Sequence, residues 1–460
     1  MEFVASLTPS HSPIIESSAH TMTHLLSPNA PTTEKPEKIS ERFLVQGGTA
    51  LHGEVQISGS KNSSLPILAA ALLASRGECV LHNVPRISDT DLMCQMLQSL
   101  GAQVRREDDA VVIDASHLST HIAPGGLVRA MRASFYVAAP LLARLRKCEV
   151  PLPGGCVLGP RPVNYHIDAF TAMGAHVVVE HGSMIAHAPS WEGTTIYLEP
   201  KNSSVGATVN IMMSACLAKG TTTIENAARE PEVVNLADFL NKMSGKVHGA
   251  GTSTITIEGV DELHGAEHAI FNDRIEAGTF LAAAGVTGGD ITIRGLNASH
   301  LPVFIDKLGE AGLFIQQGHD WIRAVKRGPL RPVDVSTAPF PGFATDLQPP
   351  FVAMMLRADG RSAIHENLYD GRFNYIPELA RMGADIDLEG TTALIQGVPK
   401  LSGAEVMSTD LRAGAALVLA GLAAEGETEV SKIHYIDRGY ENLVGKLTDL
   451  GANITRKRVS

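Results

Sequence analysis

Leu100-Gly101-Ala102 closes one helical pattern and opens a strand, and the same junction returns as Met173-Gly174-Ala175, Met243-Ser244-Gly245, Ala311-Gly312-Leu313, Met382-Gly383-Ala384 and Leu450-Gly451-Ala452. A glycine just past a helix end is a common stop, because it accepts the left-handed backbone that ends the last turn. The junctions recur about every 70 residues, beyond the roughly 20–50 of common solenoid repeats. Upstream of each junction the order repeats. A polar residue opens a small and apolar helical stretch: Lys61 before residues 65–74, Arg132 before 135–145, Ser204 before 209–218, Arg274 before 277–286, Asp346 before 351–356, and Asp410 with Arg412 before 413–424. A glycine, a β-rich run, a polar turn and a second helix lead to the junction, and two short strands follow it. The pattern predicts an α/β fold of six β-α-β-α-β-β repeats. The first helix of each repeat is apolar nearly all round and must be buried. Three repeats per domain around a shared centre is the economical packing.

Parallel buried helices would gather their N-termini at one face of each domain, where unsatisfied N–H groups and positive dipole ends favour anions. The residues opening the helices are Lys61, Arg132, Ser204, Arg274, Asp346 and Arg412, and later turns add Arg86, Arg161, Arg229, Arg372 and Arg438. One such arginine alone reads as a solvated surface ion pair. A set at equivalent repeat positions reads as the lining of a cationic cleft.

The loop Pro153-Gly154-Gly155-Cys156-Val157-Leu158-Gly159-Pro160-Arg161-Pro162 places a cysteine among three glycines, with an arginine five residues on. A thiol becomes a useful acid or nucleophile when cations bring its pKa down from about 8.5. The same residue in an ordinary turn would be a small buried thiol, and the loop alone leaves both readings open.

Composition bounds the rest. At 460 residues the chain is too long for one ordinary core, and 44% apolar with 19% charged residues reads as globular. A formal charge of −11 without Lys/Arg runs argues against nucleic acid as a partner. The cysteines (Cys79, Cys94, Cys148, Cys156, Cys216) are odd in number and form no CxxC pair, so a reducing compartment is expected and a disulfide framework or zinc site is not. Apolar runs such as 65–74 fall short of the roughly 20 residues that span a bilayer, so no membrane is expected. Residues 1–40 read as a disordered tail without signal or transit features, which leaves the cytoplasm as the expected location. No cofactor or metal motif is present.

Six ordered segments carry a resemblance: Ile57-Ser58-Gly59-Ser60-Lys61-Asn62, Met131-Arg132-Ala133-Ser134, Pro153 to Pro162, Thr345-Asp346-Leu347-Gln348, Thr409-Asp410-Leu411-Arg412 and Asp437-Arg438-Gly439-Tyr440. Together they resemble the UDP-N-acetylglucosamine 1-carboxyvinyltransferases, a family of enolpyruvyl transferases opening peptidoglycan synthesis. The resemblance runs from about Glu41 to the C-terminus. It implies a two-domain inside-out α/β barrel with the active site in the interdomain cleft. One domain would comprise residues 41–60 with 272–460, the other residues 61–271.

The implied reaction adds the 3′-hydroxyl of UDP-N-acetylglucosamine to the central carbon of phosphoenolpyruvate, then expels phosphate. On the matching positions, the resemblance makes Cys156 the proton donor and the residue able to add to phosphoenolpyruvate, hence a fosfomycin target. It makes Asp346 the general base, a residue that otherwise reads as a helix cap or dipole partner. Lys61, Asn62, Arg132, Arg161, Arg372, Arg412 and Arg438 would hold phosphoenolpyruvate, since guanidinium forks suit carboxylate and phosphate. Asp410 would orient the site, or serve only as a mate for Arg412. The UDP-sugar would lie on Asn62, Arg132, Arg161, Pro162, Val163, Asn164, Tyr165, Lys201, Ser204, Val205, Gly206, Asp346 and Leu368. The chain departs from the family at Asn164, where an aspartate is usual, and by one extra residue between Lys201 and Ser204.

Overall fold

The computed structural model describes residues 40–152, 163–199 and 203–459. The amino-terminal tail and the Pro153–Pro162 loop, with Cys156, Arg161 and Pro162, lie outside the described residues, as does Lys201.

The six openers stand at helix starts. Lys61–Ala70, Val205–Ala215, Arg274–Thr287 and Leu411–Ala423 are α-helices, whereas Arg132–Val137 and Thr345–Leu347 are 3₁₀ turns leading into Ala138–Leu145 and Gln348–Met355. Capping is local and chemical. Asp273 accepts from the N–H groups of Ile275 and Glu276, Asp410 from those of Arg412 and Ala413, and Ser204 from that of Ala207. These carboxylates and hydroxyls satisfy donors that a helix start leaves free. The Arg274–Thr287 helix is buried from Arg274 through Val286, so its sequence of small and apolar residues packs on every side. Gly278 is part of that fit, since a Cβ there would stand 2.5 Å from Leu347 Cδ2.

Six sheets of three or four strands surround these helices among the described residues, with two further two-stranded pairings. In one, His52–Gln56 runs parallel to Asp290–Arg294, which pairs antiparallel with Trp321–Lys326, and that strand with Leu313–Gln317. The same order, one parallel edge strand and three antiparallel strands, holds for four more sheets. In the sixth, Ser183–His187 lies between Lys147–Pro151 and His176–Glu180, antiparallel to both, and a single parallel bridge from Ile122 to Glu149 replaces the edge strand. Strands such as Thr254–Glu258 alternate buried and exposed positions, so each sheet turns one face to the helices and one to solvent. The apolar helices that open the repeats are therefore inside and the sheets outside. All six junctions carry a left-handed residue, at Gly101, Gly174, Ser244, Gly312, Gly383 and Gly451. Ser244 adopts it at φ 78° where the others use glycine.

Buried apolar side chains fall into two clusters, one drawn from residues 43–57 and 275–454, the other from residues 65–270. The chain crosses between them twice, and the crossings are bonded to each other. Ser60 N–H donates to the Phe271 carbonyl at 2.8 Å and Asp273 N–H to the Ser58 carbonyl at 2.8 Å.

Candidate active site

Both ends of the buried helices meet, which makes the bundle parallel. In the 65–270 cluster, Arg144 Nη1 donates to the carbonyls of Leu72 and Ala74, and Arg146 Nη2 to that of Leu217, tying the C-terminal ends together. At the opposite end, Lys61–Ala70 packs on Arg132–Val137, and the His166 ring touches both Phe135 and the Gly206 position. In the other cluster the tips of Gln348–Met355 and Leu411–Ala423 are joined through Asp346 and Arg412. The tips of the two clusters also meet, since Asp273 caps the Arg274 helix with Oδ1 while its Oδ2 accepts the Lys61 N–H at 3.2 Å.

Cations crowd this face around two carboxylates. Asp89, on the Ser88–Ser99 helix, takes Lys61 Nζ at 2.8 Å from its own cluster. From the other cluster it takes Arg438, with Nε at 2.9 Å and Nη2 at 3.4 Å. Burial works against its ionisation, but the Lys61 and Arg438 charges outweigh that and hold the carboxyl below its ordinary range. Burial draws the Lys61 ammonium below its ordinary pKa; Asp89 opposes the shift, and the Arg438 and Arg412 charges add to it.

Asp346 is the second hub. Arg372 Nη2 reaches its Oδ1 at 2.9 Å, and Arg412 Nε its Oδ2 at 3.3 Å. Both guanidiniums are buried, and Arg372 also donates to the Thr345 carbonyl. The turn is held from behind by Glu366, whose carboxylate accepts from Thr337, Thr345 and the N–H groups of Leu368 and Tyr369. Asp410 spends Oδ1 on its helix cap, leaving Oδ2 buried with no partner among the described residues. Arg412 Nη1 is likewise buried without a hydrogen bond of normal geometry to those residues, and its guanidinium stands 5.3 Å from the Tyr440 ring.

The positions expected to hold a nucleotide form another part of the face. Asn164 starts a helix, Asn164–Ala172, with an exposed side chain; Val163 precedes it and Tyr165 donates to Glu199 at 3.3 Å. Ser204, Val205 and Gly206 form the tip of the Val205–Ala215 helix. Arg132 and Asn62 are half-buried at their own helix tips, and Leu368 is half-buried in the turn that Glu366 holds. Not every arginine of the repeat set joins the cluster. Arg86 donates at the surface to the Asp108 carbonyl, and Arg229 is exposed. Arg274 is buried against Glu232 at 2.9 Å, a pair that links the two clusters. Asp89, Glu366 and Tyr440 were missed as members of the site.

Residues 45–447 match the family model described as EPSP synthase (3-phosphoshikimate 1-carboxyvinyltransferase). The chain belongs to this family of enolpyruvyl (1-carboxyvinyl) transferases. Among curated relatives, UDP-N-acetylglucosamine 1-carboxyvinyltransferase 2 of Symbiobacterium thermophilum is 49% identical over 91% of this chain and 98% of its own length. The Trichlorobacter lovleyi UDP-N-acetylglucosamine 1-carboxyvinyltransferase is also 49% identical, over 90% of this chain and 99% of its own. Among solved structures, the enolpyruvyl transferase NikO of Streptomyces tendae aligns with a TM-score of 0.84 at 26% identity, covering 92% of this chain and all (100%) of its own. An Acinetobacter baumannii EPSP synthase shares the fold at a TM-score of 0.69 and 16% identity, over 91% of this chain and 100% of its own. An enolpyruvyl transferase must hold a carboxylate and a phosphate together, and the face just described is rich in groups that pair with both. No described helix is long and apolar enough to cross a membrane.

Proposed function

We propose that this enolpyruvyl transferase moves the enolpyruvyl group of phosphoenolpyruvate to the 3′-hydroxyl of UDP-N-acetylglucosamine and releases phosphate, the first committed step of peptidoglycan synthesis, in the cytoplasm. The observation that carries the reading is the meeting of Lys61 and Arg438 on Asp89 beside Arg372 and Arg412 on Asp346, with Lys61, Asp89, Asp346 and Arg412 at helix starts and Arg372 and Arg438 in the turns beside them. The arrangement offers charge-assisted donors to an anion bearing both carboxylate and phosphate. In this reading residues 41–60 with 272–460 form one domain and residues 61–271 the other, with substrates between them.

Addition forms a bond from the sugar oxygen to C2 of phosphoenolpyruvate. Asp346 takes the hydroxyl proton, and Cys156 delivers one to C3. The tetrahedral intermediate then loses phosphate and a C3 proton, restoring the double bond. Lys61, Asn62, Arg132, Arg161, Arg372, Arg412 and Arg438 hold phosphoenolpyruvate, and Asp410 fixes Arg412 by capping its helix. Arg161, Pro162, Val163, Asn164, Tyr165, Lys201 and the Ser204–Gly206 tip take the nucleotide, and Leu368 the sugar side. Nucleic acid has no part in this reaction.

Phosphate release with phosphoenolpyruvate and a panel of acceptors tests the reading. Turnover with UDP-N-acetylglucosamine supports it. Turnover only with another nucleoside or a phosphorylated acceptor, the alternative that Asn164 raises, replaces it, and binding without turnover removes catalysis altogether. Closure of the two domains is expected on binding the UDP-sugar, and unchanged small-angle scattering would contradict that.

A further inference from the structure

We infer that the end of the 65–270 cluster opposite the substrate face holds a second binding site, for a small organic anion. Its carboxylate or phosphate would rest on Arg146 and Lys219, and its apolar body would fill the cavity under the helix ends. The inference goes beyond the reaction proposed above and does not depend on it. The cavity has a volume of about 480 Å³, within the roughly 300–1,000 Å³ of small-molecule sites. It lies where three repeats end their buried helices, at Leu73, at Arg144 with Arg146, and at Leu217 with Lys219. Val260 and Leu263 join Leu73 and Leu217 in its apolar wall. The helical stretch from Lys61 to Leu73 sets it about 20 Å from the Lys61 tip.

Arg146 is the odd member of a repeated position. Into the strands Glu78–His82, Thr221–Glu225, Arg361–His365 and Glu427–Ser431 the chain turns through Gly77, Gly220, Gly360 and Gly426, each at positive φ. Into the equivalent Lys147–Pro151 it turns through Arg146, at φ 58° and ψ 15°. Glycine takes that backbone freely and arginine does not, so the strain points to a use for the side chain. Tying the helix ends together uses little of it. Helix C-terminal ends attract cations, but Arg144 already donates to the carbonyls of Leu72, Ala74 and Ala115. Arg146 adds one bond, from Nη2 to the Leu217 carbonyl at 3.3 Å, and its Nε and Nη1 have no acceptor among the described residues. Burial draws both guanidiniums below their ordinary pKa with no carboxylate opposing it, and both remain charged. Lys219 is exposed and forms no ion pair among the described residues. Of the two acids lining the cavity, Glu262 is taken by Arg76 at 2.7 Å and Asp261 is exposed to solvent. Cations are therefore in excess beside an apolar hollow, which suits an anion with an apolar body.

The full-length protein, labelled at Leu and Val methyls, is titrated by NMR with phenyl phosphate, and with benzyl alcohol as the uncharged control. Leu73, Leu217, Val260 and Leu263 report the cavity, while Leu368 and Leu411 report the substrate face, where phosphate also has partners. Phenyl phosphate is expected to shift the four cavity methyls saturably, and benzyl alcohol to leave them in place. Arg146→Gly suits the left-handed backbone, as the other repeats show, and removes the guanidinium. It is expected to weaken the cavity response about 10- to 100-fold, the range for hydrogen bonds to a charged group, with the substrate-face response and phosphate release in turnover within about twofold of wild type. Lys219→Met removes an exposed charge and is expected to weaken the cavity response about two- to fivefold. Cavity methyls that stay silent, that respond alike to benzyl alcohol, or that respond in both variants as in wild type overturn the inference. So does an Arg146→Gly variant in which cavity and substrate face weaken together. None of these results bears on the acceptor assay, which tests the reaction separately.

Discussion

Replacing Asp89 by asparagine tests the cationic face directly. Asp89 is 1% exposed and stands between Lys61 and Arg438, at 2.8 and 2.9 Å. At an effective dielectric of about 20, each contact carries a Coulomb attraction of about 6 kcal/mol, opposed by several kcal/mol for dehydrating each ion. Removing one partner of a buried ion pair costs about 3–5 kcal/mol. Asparagine keeps an acceptor and the Arg438 side chain is 31% exposed, which lowers the expected loss to about 2–4 kcal/mol. For a cooperative unit of 150–250 residues, 3 kcal/mol corresponds to a fall of about 6–12 °C in the unfolding midpoint. The variant leaves two neighbouring cations without their internal anion, so an added anion should serve in its place. Phosphate at about 100 times its Kd restores about 2.7 kcal/mol.

Differential scanning calorimetry of Asp89→Asn and wild type, with and without phosphate at low ionic strength, separates the outcomes. The expected result is a lower midpoint for the variant and a larger phosphate-induced rise than in wild type, with chloride at equal ionic strength much less effective. An unchanged midpoint would mean that Asp89 balances nothing. A lowered midpoint with the wild-type phosphate response would mean that Lys61 and Arg438 do not form an anion site, and the proposed phosphoenolpyruvate contacts would go with it.

Asp346→Asn is expected to reduce turnover about 10²–10³-fold in a phosphate-release assay, and a variant within threefold of wild type would remove Asp346 from the role of base. Fosfomycin is expected to label Cys156 alone, since burial pushes the thiols of Cys79 and Cys94 up to about 11 and those of Cys148 and Cys216 to about 12. Peptide mass spectrometry locating the adduct on Cys94 or Cys216 would contradict this. Burial first, and the Arg132 charge second, push the His166 pKa down to about 4, whereas an unfolded histidine titrates near 6.5. The unfolded chain gains a proton first as pH falls, so this residue's stabilisation is full above 6.5 and is lost towards 4, by about 3 kcal/mol. His166→Gln should flatten that part of the acid limb in pH-dependent unfolding, and an unchanged slope would refute the assignment.

The fold was legible because its signals are local. A left-handed residue after a helix, an apolar helix opened by a polar residue, and strands of alternating burial each occupy a few consecutive positions. Lys61, Asp346, Arg372, Arg412 and Arg438 were legible for a related reason, since they recur at equivalent places in the repeat. Asp89 was not. In Ser88-Asp89-Thr90-Asp91 an aspartate in the first helical turn reads as a dipole partner, and nothing nearby says that its neighbours are Lys61 and, from 349 residues away, Arg438. Glu366 was hidden in the same way, at the end of a short strand whose sequence shows no need for a buried acceptor. Arg86 and Arg229 mark the opposite error. Repeat position brought them into the set, yet both face solvent, because equivalence along the chain fixes a turn and not the direction of its side chain.

The two internal carboxylates explain how so many cations can share one face before any ligand arrives. Lys61, Arg372, Arg412 and Arg438 would repel one another, and Asp89 and Asp346 each hold two of them. Asp346 draws both partners from one cluster, whereas Asp89 draws one from each. The loads differ accordingly. An anion competing for Arg372 and Arg412 rearranges groups that a single core already fixes. An anion competing for Lys61 and Arg438 acts on the contact joining the two cores. Lys61 is also the residue at which one crossing ends, and its N–H is bonded to Asp273, the cap of the helix at which the other crossing ends. On the proposed reading, the pivot between the domains and a group that binds phosphoenolpyruvate would therefore be adjacent in the chain. A rotation of one core against the other would then change the angle at which the Lys61 helix tip meets its ligand, so the proposed closure would be coupled to anion binding through the backbone as well as through charge.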